Sequence, residues 1–203
     1  MPYILQKDRP KYDPQILETT RYLLMPESPP RDPMNVAEHF GYFVFTLART
    51  YLRANGVCYL TDTSFVRHSP KNLSVHPETQ IVLNEMAENL VDTLQTSSDV
   101  LACQCGDLNY ILSSIMWGML GDMEGAPEGR YALRCFLKGA LHWVLTDYVQ
   151  HCVDIRYYIM LQGVFTDVID EAYRRKTAPY EDVKIEQNGD LWPLEANDTA
   201  PAS

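Results

Sequence analysis

Three consecutive segments of this chain are apolar around most of a helical circumference: 107–120, about 128–153 and about 154–177. In the second, Leu133, Phe136, Leu137, Leu141, Val144, Leu145 and Tyr148 leave little room for a solvated stripe. A helix of that kind must be covered on several sides, so these three are expected at the centre of a bundle. Asp107 is placed to cap the first and Gly121 to stop it. Pro179 is expected to end the third, because the residue before a proline is pushed out of the helical region.

Two further amphipathic helices precede them. In 36–54, Phe40, Val44, Leu47 and Tyr51 repeat at helical spacing, Asn35 and Glu38 have the separation of a capping box, and Asn55-Gly56 supplies a left-handed stop. The next starts near Pro77, buries Val82, Met86, Leu90 and Leu94, and exposes Glu85, Glu88, Asn89 and Asp92. A short helix over 14–25 follows an extended arm, and the prolines at 26, 29, 30 and 33 read as a stiff loop. Residues 57–76 lack a helical period, with a short strand at 57–60. After Pro179, Val183-Lys184-Ile185 and Leu191-Trp192 flank Asn188-Gly189, a dipeptide suited to a tight hairpin turn. Tyr3-Ile4-Leu5 is expected to pair with that hairpin. The expected fold is mainly α: a bundle of about five helices with a small β-hairpin near the joined termini. Residues 1–192 form one domain and the polar stretch 193–203 is a mobile tail.

Charge and cysteine usage narrow the function classes. The chain has 203 residues, 17 Lys and Arg against 27 Asp and Glu, and a formal net charge of −10. A surface that tracks phosphates needs clustered cations, so nucleic acid is not an expected partner. No apolar run reaches the roughly 18 residues of a membrane span, so no membrane partner is expected either. The N-terminus turns polar too early for a signal peptide. Five cysteines, an odd number, suggest reduced thiols and a cytoplasmic location.

Several motifs carry a resemblance. Met1-Pro2-Tyr3-Ile4 with Asp8 and Arg9 opens the chain, and Gly106-Asp107-Leu108-Asn109-Tyr110 starts a helix. Tyr173-Arg174-Arg175, Ala178-Pro179-Tyr180-Glu181-Asp182 and Gln187-Asn188-Gly189-Asp190 close it, with Gly163 ten residues before Tyr173. In these the chain resembles a family of small uncharacterised proteins from phages and prokaryotes. Gln187 stands where that family carries an acid. The resemblance covers the two ends and 106–192, leaving 15–100 as an insertion or a specialised, family-specific addition. It implies a helical fold and a phage or mobile-element setting, with the host cytoplasm as location, and no known reaction.

Four constellations are candidates for chemistry. Tyr173, Arg174, Arg175, Tyr180, Glu181 and Asp182 form a dense polar cluster, read either as a clasp of Arg–carboxylate pairs or as a site holding a phosphate or carboxylate. Asn109 and Tyr110 join it, because Asn109 on an apolar helix needs a polar partner and Arg174 or Asp182 has the chemistry for it. Cys103, Cys105, Cys135, His142, His151 and Cys152 lack the paired spacing of structural zinc and read as buried free thiols. Glu85, Glu88 and Asp92 share a helix face, and Asp167 and Asp170 with Glu171 form a second acidic face. Facing each other, these two groups would hold Mg2+; apart, they are solvated faces.

The expected function is therefore a phage-type accessory protein that binds a host factor or a small phosphorylated ligand, without a cofactor. Its acidic surface suits a basic protein partner, and its 13 tyrosines suit self-association. The alternatives are a Mg2+-dependent, all-α nucleotide hydrolase using the five acids, and a structural virion or assembly component. No phosphate loop, dinucleotide fingerprint, nucleophile elbow or zinc-protease motif is present.

Overall fold

In the computed structural model the described residues are 6–24, 33–57, 75–98, 100–122, 127–147, 149 and 154–188. A 3-10 segment, Gln6–Lys11, leads into α1 (Asp13–Leu23), α2 (Pro33–Ala54), α3 (Pro77–Ser97), α4 (Leu101–Asp122), α5 (Pro127–Asp147) and α6 (Ile155–Ala172). A π-helical turn, Tyr173–Thr177, then joins α6 to α7 (Ala178–Asn188). The expected five helices are thus seven α-helices, and no strand occurs among the described residues.

The expected hairpin is overturned by α7. Val183, Lys184 and Ile185, read as its first strand, lie inside this helix. Three residues of alternation are too few to separate strand from helix. Pro179 sits in the first turn of α7, where its missing N–H costs nothing, and Glu181 there complements the helix dipole. The same logic makes Pro33 the first residue of α2, which places Asn35 inside the helix instead of at its cap. The partners proposed for the hairpin, Leu191-Trp192 and Tyr3–Leu5, lie outside the described residues, as do the tail and the strand expected at 57–60 beyond Val57.

The central helix is α2, not one of the three strongly apolar segments. Gly41 to Ala48 are buried at eight consecutive positions, more than two full turns with no solvated side. α2 packs chiefly on α5 and α3, and Val44, Leu47 and Tyr51 border one small void together with Leu108 and Leu112 of α4 and Leu161 and Phe165 of α6. By contrast α5 exposes Cys135, Lys138 and His142, and α6 exposes Ile155, Ile159, Gln162 and Thr166. Tyr51 fixes the register through one bond, its hydroxyl donating to Gln104 Oε1 at 2.5 Å while Gln104 Nε2 donates to Ser98 O at 2.7 Å. The end of α2 follows its sequence. Gly56 adopts φ 68°, Val57 N–H reaches Leu52 O at 3.0 Å, and Gly56 N–H reaches Arg53 O at 2.9 Å, the paired bonds of a left-handed helix stop.

α4 packs on α6 and on α1. It begins at Leu101, six residues before the expected start, so Asp107 is an interior residue and not a cap. α1 comes close to α4 at Gly118, where a Cβ would stand 2.7 Å from Thr20 Cγ2. Thr20 is buried and β-branched, which restricts the rotation that would move its methyl group aside. Gly118→Ala is expected to cost about 1–3 kcal/mol, the usual range for overpacking. Denaturant unfolding should show a smaller cost when Thr20→Ser has already removed the opposing methyl; equal costs in both backgrounds would exclude this contact as the cause.

Candidate functional site

Helical spacing along α4 puts Asn109, Tyr110, Ser113, Met116, Trp117 and Leu120 on one side of the helix. α6 sets Val168, Glu171 and Ala172 opposite them, the π-helical turn adds Arg175, and the 3-10 segment adds Arg9. Together they enclose a cavity of about 290 Å³. The apolar lining is Met116, Leu120, Val168 and Ala172. The rest carries two arginines, an amide, a phenol, two hydroxyls and one carboxylate.

The first wall is anchored by Asp107, which is 6% exposed. The Tyr12 hydroxyl donates to Asp107 Oδ2 at 2.5 Å, and Lys11 Nζ lies 3.3 Å from the same oxygen. Burial, then the hydrogen bond to Asp107, pushes the Tyr12 phenol well above its ordinary pKa. This anchor holds the N-terminal segment on α4. The Arg9 guanidinium consequently stands 5.4 Å from the centroid of the Tyr110 ring, in cation–π range. Tyr110 donates to Asp13 Oδ1 at 2.6 Å, and burial together with that bond raises its pKa. Arg9 Nε is buried and has no hydrogen-bond partner among the described residues.

The second wall is built on Glu171, a buried carboxylate. Arg174 donates to it through Nε at 3.1 Å and Nη2 at 3.0 Å, and Arg175 pairs with it through Nε. The spacing i, i+3 and i, i+4 brings both arginines to one acid. The Arg174 hydrogen bonds hold the Glu171 carboxyl below its ordinary pKa, burial opposes them, and the Arg175 charge adds to the lowering. Arg175 also stands 5.4 Å from the centroid of the Trp117 ring, and Trp117 is 39% exposed. The π-helical turn that carries both arginines is a rare geometry found often at functional sites.

The sequence-predicted site divides in two. Asn109, Tyr110 and Arg175 line the cavity. Tyr173, Arg174, Glu181 and Asp182 lie outside it: Tyr173 donates to Glu181 Oε2 at 2.8 Å, and Asp182 is exposed. The side chain of Tyr180 is not among those described. The arginines pair with Glu171 and not with Glu181 or Asp182 as the clasp required. Asn109 finds its partner in Asp167, 3.5 Å away, and accepts from Ser113 Oγ at 3.3 Å, so neither Arg174 nor Asp182 satisfies it. Arg9 and Trp117 were missed as site residues, and Glu171 was read only beside Asp167 and Asp170 as part of an acidic face. The i, i+3, i+4 pattern of Glu171, Arg174 and Arg175 was a readable signal, whereas nothing local links Arg9 to Tyr110.

The five acids weighed as magnesium ligands are not brought together. Glu85, Glu88 and Asp92 are exposed on α3, with Glu88 and Asp92 bordering a surface cleft beside Arg49 and Arg53 of α2. Asp167 faces Asn109 and Asp170 is exposed on α6. Among the described residues no three His, Cys, Asp or Glu side chains form a group able to hold a metal ion. Cys103 and Cys135 are free thiols but exposed, and Cys105 is half-buried, so the expectation of buried thiols is corrected. Among the described residues no helix is long and apolar enough to cross a membrane.

Fold and site thus define an all-α protein with a polar-walled cavity between two helices. The chain belongs to the family described as "Domain of unknown function (DUF6899)", whose model matches residues 74–191. That match takes in α3, so residues 74–100 belong with the family part and not with an addition. No curated protein and no solved structure matches the chain.

Tyr12→Phe should lower stability by about 1.5–3 kcal/mol, the range for a hydrogen bond to a charged group, measured by denaturant unfolding. Glu171 gives a pH prediction. Its pKa is lower folded than unfolded, so its contribution is complete above the ordinary value of 4.5 and is lost as pH falls through the lower folded value. Acid unfolding of Glu171→Gln should lack that part of the pH dependence; an identical acid limb in both proteins would refute the assignment.

Proposed function

We propose that this protein is a binding protein whose site is the cavity between α4, α6 and the N-terminal segment, and that its ligand is a small molecule bearing a phosphate or carboxylate. The carrying observation is the cationic pair, Arg9 and Arg175, on the wall of a cavity of about 290 Å³. Arg9 brings a buried Nε with no partner among the described residues, and such groups cost free energy until something accepts from them. Binding fits this lining better than catalysis does. Among the described residues no histidine or cysteine lines the cavity, and the single carboxylate there is engaged by arginines, which leaves Ser113 and Ser114 without a general base among them. A setting in phages or mobile elements, with the host cytoplasm as location, belongs to the same proposal and rests on the terminal motifs. The hydrolase reading draws no support from the separated acids.

Mass spectrometry of small molecules released on denaturing the purified protein tests this. An organic anion is expected from the wild type, and Arg9→Met with Arg175→Met should abolish its retention without loss of helicity. A neutral or cationic occupant, or an anion retained equally by the double variant, would overturn the proposal.

A further inference from the structure

The pairing around Glu171 bears on how an anion enters the cavity, provided the cavity is the site proposed above. Arg175 lines the cavity and is already engaged by an acid, Glu171. In isolation that would block the site, because a ligand taking Arg175 would leave a buried carboxylate bare, at a cost no weak ligand overcomes. Glu171 is not in isolation. Arg174, outside the lining and largely exposed, meets it through two nitrogens at 3.0 and 3.1 Å. Near-parallel bonds from two guanidinium nitrogens are the strong form of this contact. Arg175 can therefore leave Glu171 while the carboxylate stays paired. A vacated Arg175 lies beside Trp117, and Met116, Leu120 and Val168 belong to the same cavity lining.

We propose that the cavity binds an amphiphilic organic anion by exchange. The ligand's charged group replaces Glu171 on Arg175, Arg174 keeps Glu171 paired, and the ligand's apolar body lies on Met116, Leu120 and Val168. Glu171 is then an internal competitor and Arg174 a positioning residue that never touches the ligand.

Benzoate and benzyl alcohol share a body and differ in charge, and titration of each into the full-length protein, read by calorimetry, separates the steps. The wild type should bind benzoate about tenfold more tightly than benzyl alcohol, the worth of one partly screened charge pair. Glu171→Gln removes the competitor and should tighten benzoate binding by about tenfold. Arg174→Gln removes the two-nitrogen partner of Glu171 and should weaken benzoate binding by a similar factor, with benzyl alcohol unchanged by this exposed substitution. Arg174 is solvent-facing, so its variant tests the exchange even if Glu171→Gln does not fold. Benzoate preferred over the alcohol but unaffected by Arg174→Gln, or moved in the same direction by both substitutions, would overturn the exchange and leave the anion site standing. Equal binding of the two probes, or binding of neither to any folded variant, would overturn the anion site itself.

Discussion

A carboxylate in the middle of a buried helix face is costly unless it is paired, and Asp107 is such a group. Its partners come from about 95 residues away in the chain. The phenol of Tyr12 and the ammonium of Lys11 meet it at the point where the 3-10 segment turns into α1. This one contact decides where the N-terminal segment lies. From it follow the position of Arg9 over Tyr110, the bond from Tyr110 to Asp13, and the close approach of α1 to α4 at Gly118. Without Asp107 the cavity would lose a wall.

The opposite wall obeys a local rule. Glu171, Arg174 and Arg175 lie within five residues, and helical geometry alone brings them together. The two walls therefore differ in origin. The family match covers α3 to α7 and with them Asn109, Trp117, Glu171 and Arg175, while Arg9, Tyr12 and the central helix α2 fall outside it. Phe40, Phe43, Val44, Phe45, Leu47 and Tyr51 of α2 are nonetheless at the centre of the core. In this chain the matched region is completed by the part that precedes it, for its packing and for one arginine of its cavity.

Legibility in the sequence tracked the range of the interaction. The left-handed stop at Gly56 and the helix start at Pro77 were readable because a turn carries its own chemistry. The exposed acids of α3 were readable because a helix face repeats every three to four residues. Pro179 was misread because proline ends one helix and begins the next with equal ease, and only the packing of the residues after it distinguishes the two. Asp107 was misread for a similar reason: an acid before an apolar run has the pattern of a cap, and the added turns from Leu101 are visible only in three dimensions.

The amino-acid sequence alone determined that this chain is helical, that its surface is acidic, and that Arg174 and Arg175 lie at the end of an apolar helix, because each depends on residues a few positions apart. Tertiary structure alone decided that α2 is the centre, that Asn109 turns to Asp167, and that Arg9 faces Arg175's cavity across a distant anchor. The physical reason is that burial and partner choice for a polar group are properties of the space around it, and that space is filled by residues up to about a hundred positions away.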